Sequence, residues 1–405
     1  MRKILLIVVA LIATAALFWQ REIVHLYQVS TLFSESKIVH NFSHMDTIFE
    51  TAPVANNATE PFVFDINNQG LPTSFEFEGN TYAMSDYLKQ SHTTALVVVN
   101  GPAITFERYF LGTHKQDKRI SWSVSKGYIG ALAGIALNEF EQYSINTKVV
   151  ELVPELKGSG YEHTTIKHLL QMSSGIAFNE DYADSDSDVN RLKKILALGG
   201  SFDEFASTLS SQREPGTFLK YVSMDTHVLG MVIRRMTNMP INLYLQEKLW
   251  KPLGSEYDAY FIVDSEGQPM VLGGLNATSR DYAKLGMLYR DNGIFNDQQI
   301  LPSSWVEKST SPDAPYLMPG KRDNAATLFG YGFQWWLPVN AQQEFFALGV
   351  YGQFIYVNKK HNTVIVKNSA NTAFAQDDFK SIHQAIAAFR AIAIHADALS
   401  SSALH

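Results

Sequence analysis

A serine and a lysine three positions apart, Ser123 and Lys126, are the residue types in this sequence best suited to nucleophilic chemistry. They begin an apolar stretch that runs to Leu137, and a helix that is apolar around its whole circumference is buried. Side chains at positions i and i+3 share one helix face, and burial lowers the pKa of a lysine because it disfavours the ammonium. A neutral Lys126 would accept the proton of the Ser123 hydroxyl, which is the activation that a serine nucleophile requires.

Spacing alone leaves an alternative open, because a serine and a lysine three apart also occur by chance. Ser34 and Lys37 form a second copy in a charged segment, where we expect Lys37 to be solvated. For Ser123 the alternative is a helix N-cap, with a lysine whose charged end reaches water.

Glycines mark the same predicted helix at positions 127, 130 and 134. Each weakens a helix by about 1 kcal/mol relative to alanine, so their presence predicts that other backbone packs very close to this helix.

Composition limits the possible functions. The 405 residues are 46% hydrophobic and 18% charged, which is enough to bury a large core. The net charge of −7 forms no basic stripe, so nucleic acid is not expected as a partner. The absence of cysteine excludes disulfides, thiolate metal sites and a cysteine nucleophile, and it suits an oxidising compartment. The histidines are scattered, so we predict neither a metal nor a cofactor.

The first 20 residues predict export. Arg2 and Lys3 precede an apolar run from Ile4 to Trp19, which falls just short of the roughly 20 residues that span a bilayer. Small residues at 13–15 offer a signal-peptide cleavage site, whereas the continued apolar run indicates a retained membrane anchor; both remain open. We expect a periplasmic location, free or anchored at the inner membrane. Residues 21–60 are predicted to be a spacer without chemistry, and residues 61–400 the folded domain.

Strand patterns lie at both ends of this domain, and helical patterns fill residues 140–290. A hairpin is predicted near the N-terminal end, and three strands followed by an amphipathic helix near the C-terminal end. These segments are Thr94–Val99, Ala103–Phe110, Phe345–Gly349, Phe354–Asn358, Thr363–Lys367 and the helix Asp378–Ala396. This order predicts an α+β fold, with an antiparallel sheet flanked by helices and a helical region inserted between distant strands.

Several segments resemble the serine β-lactamase-like, penicillin-binding-protein-like hydrolases, and they occur in the order of that family over most of residues 60–400. They are Ser-Trp-Ser-Val-Ser-Lys-Gly from Ser121, Thr-Ile-Lys-His-Leu-Leu-Gln-Met-Ser-Ser-Gly from Thr165, Pro-Gly-Thr-Phe-Leu-Lys-Tyr-Val-Ser from Pro215, Ala-Thr-Ser-Arg-Asp-Tyr-Ala-Lys-Leu-Gly from Ala277 and Gly-Tyr-Gly-Phe-Gln-Trp-Trp from Gly330. The branch most similar to this sequence holds 6-aminohexanoate-dimer hydrolases and related esterases. The resemblance implies a β-lactamase/transpeptidase-like fold and an acyl-enzyme on Ser123.

The second motif of the family, Tyr-x-Asn or Tyr-x-Ser, matches Tyr221-Val222-Ser223. The resemblance implies that Tyr221 relays a proton to the leaving group and that Ser223 contacts substrate. Tyr356-Val357-Asn358 also fits, but it lies in a predicted late strand, so we interpret it as sheet packing.

The third motif departs from the family. β-Lactamases and carboxypeptidases have Lys-Thr-Gly on the strand beside the nucleophile, where this sequence has Ala347, Leu348 and Gly349. The missing lysine and threonine remove the grip on a substrate carboxylate that penicillins and peptidyl-D-alanine need. Glycine permits close approach of a substrate to the strand.

By analogy with the family, the backbone amides of Ser123 and Val350 would form the oxyanion hole. Gly349, Tyr351 and Gly352 would line the substrate site.

The sequence therefore predicts a serine hydrolase that acts on a small-molecule ester or amide, with Ser123 as nucleophile, Lys126 as base and Tyr221 as proton relay. One alternative is a β-lactamase or D-alanyl-D-alanine carboxypeptidase. A second is a non-catalytic envelope receptor or cell-wall binding module.

Overall fold

The structure is a computed structural model that describes residues 19–20, 22–58, 61–374 and 380–402. Its strands in chain order are β1 Thr51–Val54, β2 Asp65–Ile66, β3 Ser74–Phe77, β4 Asn80–Ala83, β5 Thr93–Asn100, β6 Ala103–Tyr109, β7 Arg119–Ile120, β8 Ala259–Ile262, β9 Leu275–Ala277, β10 Ile294–Phe295, β11 Gln298–Gln299, β12 Gly330–Tyr331, β13 Trp336–Leu337, β14 Glu344–Gly349, β15 Gln353–Asn358 and β16 Thr363–Ser369.

Residues 22–30 are helical, and further helices follow along the chain. These are α1 Ile38–Asn41, α2 Met84–Gln90, α3 Ser125–Glu139, α4 Val149–Leu152, α5 Ile166–Leu170, α6 Asp188–Leu198, α7 Phe202–Ser207, α8 Ser223–Thr237, α9 Ile241–Leu245, α10 Ser279–Arg290, α11 Ser303–Thr310 and α12 Lys380–Ser402. Short 3₁₀ turns lie at Met45–Thr47, Trp122–Val124, Pro154–Leu156 and Pro315–Leu317, and a π-helical turn at Gln246–Trp250.

The central sheet has the strand order β12-β13-β14-β15-β16-β5-β6-β2, and only the β2–β6 pair is parallel. Its interior strand β5 is buried at every residue, as a continuous apolar run predicts for a strand covered on both faces. Helices α2 and α12 pack on one face, and α10 packs on the other together with the helical region. The predicted hairpin, the three late strands and the α+β class are confirmed.

The inserted region is not purely helical. A second sheet of order β1-β8-β9-β7 contains two strands from within residues 140–290, and the folded domain begins before residue 61 because β1 pairs with β8. Very short strands in a helix-rich stretch leave no alternating pattern, so periodicity did not reveal them.

The segment predicted as a spacer is in fact folded against the domain. Leu32, Phe42 and Met45 are buried in a cluster with Ile120 and Ile262 of the second sheet. The prediction failed because this segment consists of short helical turns whose apolar residues follow no helix-long period.

The predicted signal peptide or anchor at residues 1–20 lies almost wholly outside the described residues. Within the part of the chain that the structure describes, no helix is long and apolar enough to cross a membrane.

Candidate active site

Ser123 lies in the 3₁₀ turn before α3, and Lys126 lies in the first turn of that helix. Lys126 Nζ donates to Ser123 Oγ at 2.9 Å and to the Leu272 carbonyl at 2.6 Å. Burial lowers the pKa of Lys126 to about 7, although the Glu180 and Asp225 carboxylates oppose this by stabilising the ammonium. A lysine that is substantially neutral at pH 7 is a competent base for the hydroxyl it touches.

The helix behind this pair is buried, as predicted. We expected other backbone to pack against the glycines of this helix, but mostly side chains lie against them. A Cβ on Gly134 would lie 2.5 Å from Trp305 Nε1, and one on Gly130 would lie 3.0 Å from Gln334 Cβ and 3.2 Å from the Phe333 carbonyl. Close packing on this face fixes the helix that presents Lys126.

Trp122, immediately before Ser123, has a left-handed backbone with φ of 44°. This conformation is costly for a large side chain, by roughly 1 to 3 kcal/mol, and it persists only where the surroundings hold it. The Trp122 ring contacts the rings of Phe33, Phe42 and Tyr351 at centroid distances of 5.6 to 6.0 Å. Aromatic packing therefore holds the turn that exposes Ser123.

Tyr221 shares this site. Its ring centroid is 5.1 Å from Lys126 Nζ, and the ring stacks on Trp336 at 5.3 Å with an interplanar angle of 19°. Burial, reinforced by the Glu180 charge, raises the pKa of Tyr221, while hydrogen bonding with the Ser123 and Ser223 hydroxyls opposes that shift. A phenol with a raised pKa remains protonated at neutral pH and can donate its proton.

Ser223 begins α8 and is held by Glu180. Its backbone N–H donates to Glu180 Oε2 at 3.0 Å and its hydroxyl donates to Oε1, which also accepts from the Tyr182 hydroxyl at 3.1 Å. Burial raises the pKa of Glu180, and these donors and Lys126 oppose that shift. Ser223 therefore lies beside Tyr221 with its proton committed to a carboxylate.

Asp225, the third residue of α8, is fully buried and accepts a hydrogen bond from the Tyr161 hydroxyl at 3.2 Å. Burial raises its pKa well above the ordinary value, and Ser174 opposes that rise by hydrogen bonding. Sequence reasoning missed both carboxylates. Asp225 had a usable signal, a carboxylate inside an apolar helix, whereas Glu180 lies in a polar loop that resembles any solvated loop.

The end of β14 lies against the turn that carries Ser123. A Cβ on Gly349 would lie 2.5 Å from the Ser121 carbonyl oxygen, so only glycine fits there. The next residue, Val350, lines the same cavity as Ser123. Gly349 thus brings the strand end that carries Val350 against the turn that carries Ser123.

Tyr351 and Gly352 complete the β14–β15 turn, with φ of 63° and 87°. Tyr351 lines the cavity and stacks on Phe33 at 5.1 Å, whereas Gly352 faces Ser369 and Lys367. Gly352 therefore acts in the geometry of the turn. The structure places Tyr351, but not Gly352, on the cavity wall.

Other candidates separate from the site. Tyr356 lies inside the sheet and donates to Glu344. The Ser34 hydroxyl donates to the Thr31 carbonyl, and Lys37 Nζ donates to the Tyr27 and Thr31 hydroxyls. The second serine–lysine copy therefore does not form a reactive pair.

Comparison with known proteins finds similar hydrolases. The profile of the Beta-lactamase family matches residues 83–388. The 6-aminohexanoate-dimer hydrolase of Paenarthrobacter ureafaciens is 30% identical over 291 residues, which cover 70% of this chain and 74% of that protein.

Solved structures extend the comparison. A Bacillus anthracis chain described as a candidate 6-aminohexanoate-dimer hydrolase superposes with a TM-score of 0.81 at 26% identity, covering 90% of this chain and 95% of that one. EstCE1, described as a hydrolase with promiscuous acyltransferase activity, has a TM-score of 0.56 at 15% identity, covering 75% of this chain and 96% of that one, and shows the fold alone.

The fold and the match place this protein in the class of β-lactamase-fold hydrolases. The chain belongs to the Beta-lactamase family, and its similarity to the P. ureafaciens protein supports its being a hydrolase.

Proposed function

We propose that this hydrolase cleaves an ester or amide through an acyl-enzyme on Ser123. The observation that carries the proposal is the contact of Lys126 Nζ with Ser123 Oγ at 2.9 Å, combined with a lysine pKa lowered to about 7. Neutral Lys126 takes the hydroxyl proton as Ser123 Oγ attacks the carbonyl carbon.

The remaining steps use the neighbours of this pair. The amides of Ser123 and Val350 hold the oxyanion, and the Tyr221 hydroxyl protonates the leaving group and recovers a proton from Lys126. Water then attacks the acyl-enzyme and releases the acid. The position of Tyr221 beside both Ser123 and Lys126 supports this relay.

The substrate class rests on β14. Ala347 and Leu348 stand where a carboxylate-binding lysine and threonine would be, so esters and uncharged amides are favoured over penicillins. We also infer that the protein is exported to the periplasm, either free or anchored at the inner membrane, because two basic residues, Arg2 and Lys3, precede an apolar run that extends to Trp19.

A fluorophosphonate probe and p-nitrophenyl acetate test the proposal. The wild-type protein should be labelled on the peptide containing Ser123 and should hydrolyse the ester, and Ser123→Ala should lose both activities. Ser34→Ala, which removes the serine of the other serine–lysine copy, is the matched control and should retain both. Labelling that persists in Ser123→Ala would overturn the nucleophile, and turnover of ampicillin would overturn the substrate class.

A further inference from the structure

An apolar cavity of about 280 Å³ opens beside Ser123. Its wall contains side chains from the N-terminal segment 29–49, from α6 and from the loop before β9. They include Leu32, Met45, Phe49, Leu192, Leu196 and Met270. Because most of this lining is apolar, the cavity favours an aliphatic ligand, whose burial is stabilising.

The position of the cavity identifies which part of a substrate it would hold. Ser123 and Val350 line it, so a carbonyl at the reaction centre lies at its edge. Tyr221, the proposed proton donor to the leaving group, is not among the residues that line the cavity, and its ring stacks on Trp336. The leaving group therefore departs on the Tyr221 side, and the cavity receives the acyl chain.

The volume suits a chain of medium length. If each methylene takes about the 30 Å³ that a water molecule occupies in the liquid, 280 Å³ has room for about nine chain carbons.

The charges on the wall discriminate against an amine-terminated chain. The lining includes Lys193, whose Nζ lies 5.3 Å from the ring centroids of Phe33 and Tyr182, and it includes no aspartate or glutamate. Lys194 also lines the cavity, but its ammonium pairs with the exposed Asp186 at 3.5 Å, so the like charge comes from Lys193. Glu180, behind Ser223, already accepts from Ser223 and Tyr182. An ammonium at the end of the acyl chain would meet apolar groups and like charge, which is costly.

We infer that the acyl group of the substrate is a straight, uncharged aliphatic chain of medium length, bound beneath residues 29–49. The inference rests on the proposed function and narrows it. It also separates this protein from a hydrolase of 6-aminohexanoate dimers, whose acyl half ends in an amine.

A series of p-nitrophenyl esters from acetyl to tetradecanoyl, used below micelle-forming concentrations, tests the inference. For the wild-type protein, kcat/KM should rise to a maximum at octanoyl or decanoyl and exceed the acetyl value by at least roughly tenfold. The 6-aminohexanoyl ester should react at least about tenfold more slowly than the hexanoyl ester. Octyl acetate, with its chain on the leaving group, should gain nothing over ethyl acetate.

Ala197→Phe provides the matched variant, because Ala197 lines the cavity and is only half-buried. It should lower the ratio of kcat/KM for the octanoyl ester to kcat/KM for the acetyl ester by roughly tenfold. Leu198→Phe, at the neighbouring position where 72% of the residue is exposed, should match the wild type.

Failure of this inference differs from failure of the proposed function. If hydrolysis of the acetyl ester depends on Ser123 but chain length has no effect, the cavity does not hold the acyl chain. An equal loss on all esters in Ala197→Phe, a preference for the 6-aminohexanoyl ester, or a gain with octyl acetate would also overturn it. Absence of any Ser123-dependent hydrolysis would instead contradict the proposed function.

Discussion

Lys126 Nζ lies 2.9 Å from Ser123 Oγ and 2.6 Å from the Leu272 carbonyl oxygen, so the lysine is fixed in place by a backbone acceptor while it contacts the hydroxyl. The base of the proposed mechanism is thus positioned before substrate binds. This geometry and the surroundings of the pair lead to the following predictions.

The first prediction concerns pH. Burial lowers the pKa of Lys126 to about 7, and only the neutral lysine accepts a proton, so kcat/KM for p-nitrophenyl acetate should rise with pH through about 7. Lys126→Arg, which keeps a cation that stays protonated, should lower kcat/KM by about 10² to 10⁴. A profile of kcat/KM against pH measures both effects. Activity that stays constant from pH 5 to 9 would contradict the role of Lys126.

The second prediction concerns Glu180 as a positioning residue. Its carboxylate stabilises the Lys126 ammonium, so Glu180→Gln should lower the pKa of Lys126 and move the acid limb of kcat/KM to lower pH. A merely structural role would lower activity without moving the limb. The pH profile of the variant, beside that of the exposed-site control Asp181→Asn, distinguishes the two outcomes.

The third prediction separates Tyr221 from the nucleophile. Tyr221→Phe retains the ring that stacks on Trp336 but removes the proton donor. Hydrolysis of an anilide should fall by about 10² to 10³, and hydrolysis of a p-nitrophenyl ester should fall much less, because p-nitrophenolate leaves without a proton. Parallel kcat measurements on a matched anilide and ester test this. Equal losses on both substrates would argue against proton donation.

The fourth prediction tests helix packing behind the site. Gly134→Ala places a Cβ 2.5 Å from Trp305 Nε1 and should lower the free energy of unfolding by about 1 to 3 kcal/mol. Gly127→Ala, whose Cβ would meet Leu285 and Trp335 at 3.4 Å, has room to gain helix propensity and should be nearly neutral. Urea denaturation of the two variants gives the comparison. Equal stability of the pair would show that Trp305 moves aside.

The fifth prediction concerns Lys367, a buried lysine in β16 that the proposed mechanism does not use. Burial lowers its pKa to about 7, so between pH 7 and 10 the unfolded chain binds a proton that the native protein lacks. Stability of the wild type therefore rises with pH across this window, by about 1.4 kcal/mol per pH unit for this group.

Lys367→Met removes that dependence. Its stability advantage over the wild type should be largest near pH 7 and should shrink toward pH 10, as measured by urea denaturation at several pH values. The exposed Lys360→Met is the control and should leave the slope unchanged. A pH-independent difference between wild type and Lys367→Met would contradict a neutral buried lysine.

The sequence alone was enough to predict the main buried elements and the central residues of the candidate site. Continuous apolar runs identified β5 and α3, because burial on all sides leaves no polar face to interrupt the pattern. A lysine in the buried helix identified the Ser123–Lys126 pair for the same reason. The collinear motifs predicted Tyr221 and the end of β14 as further parts of the site.

The tertiary structure decided what lies around that pair. The 29–49 segment has no sustained period, so its role as a cavity wall emerged only from its packing against β7, β8 and the Ser123 turn. Glu180 was indistinguishable from a solvated loop residue until its contact with Ser223 was visible. The local sequence pattern predicts whether a residue is buried. The residues that pack against it come from distant segments of the chain, and these residues set the pKa of Lys126 and the shape of the cavity.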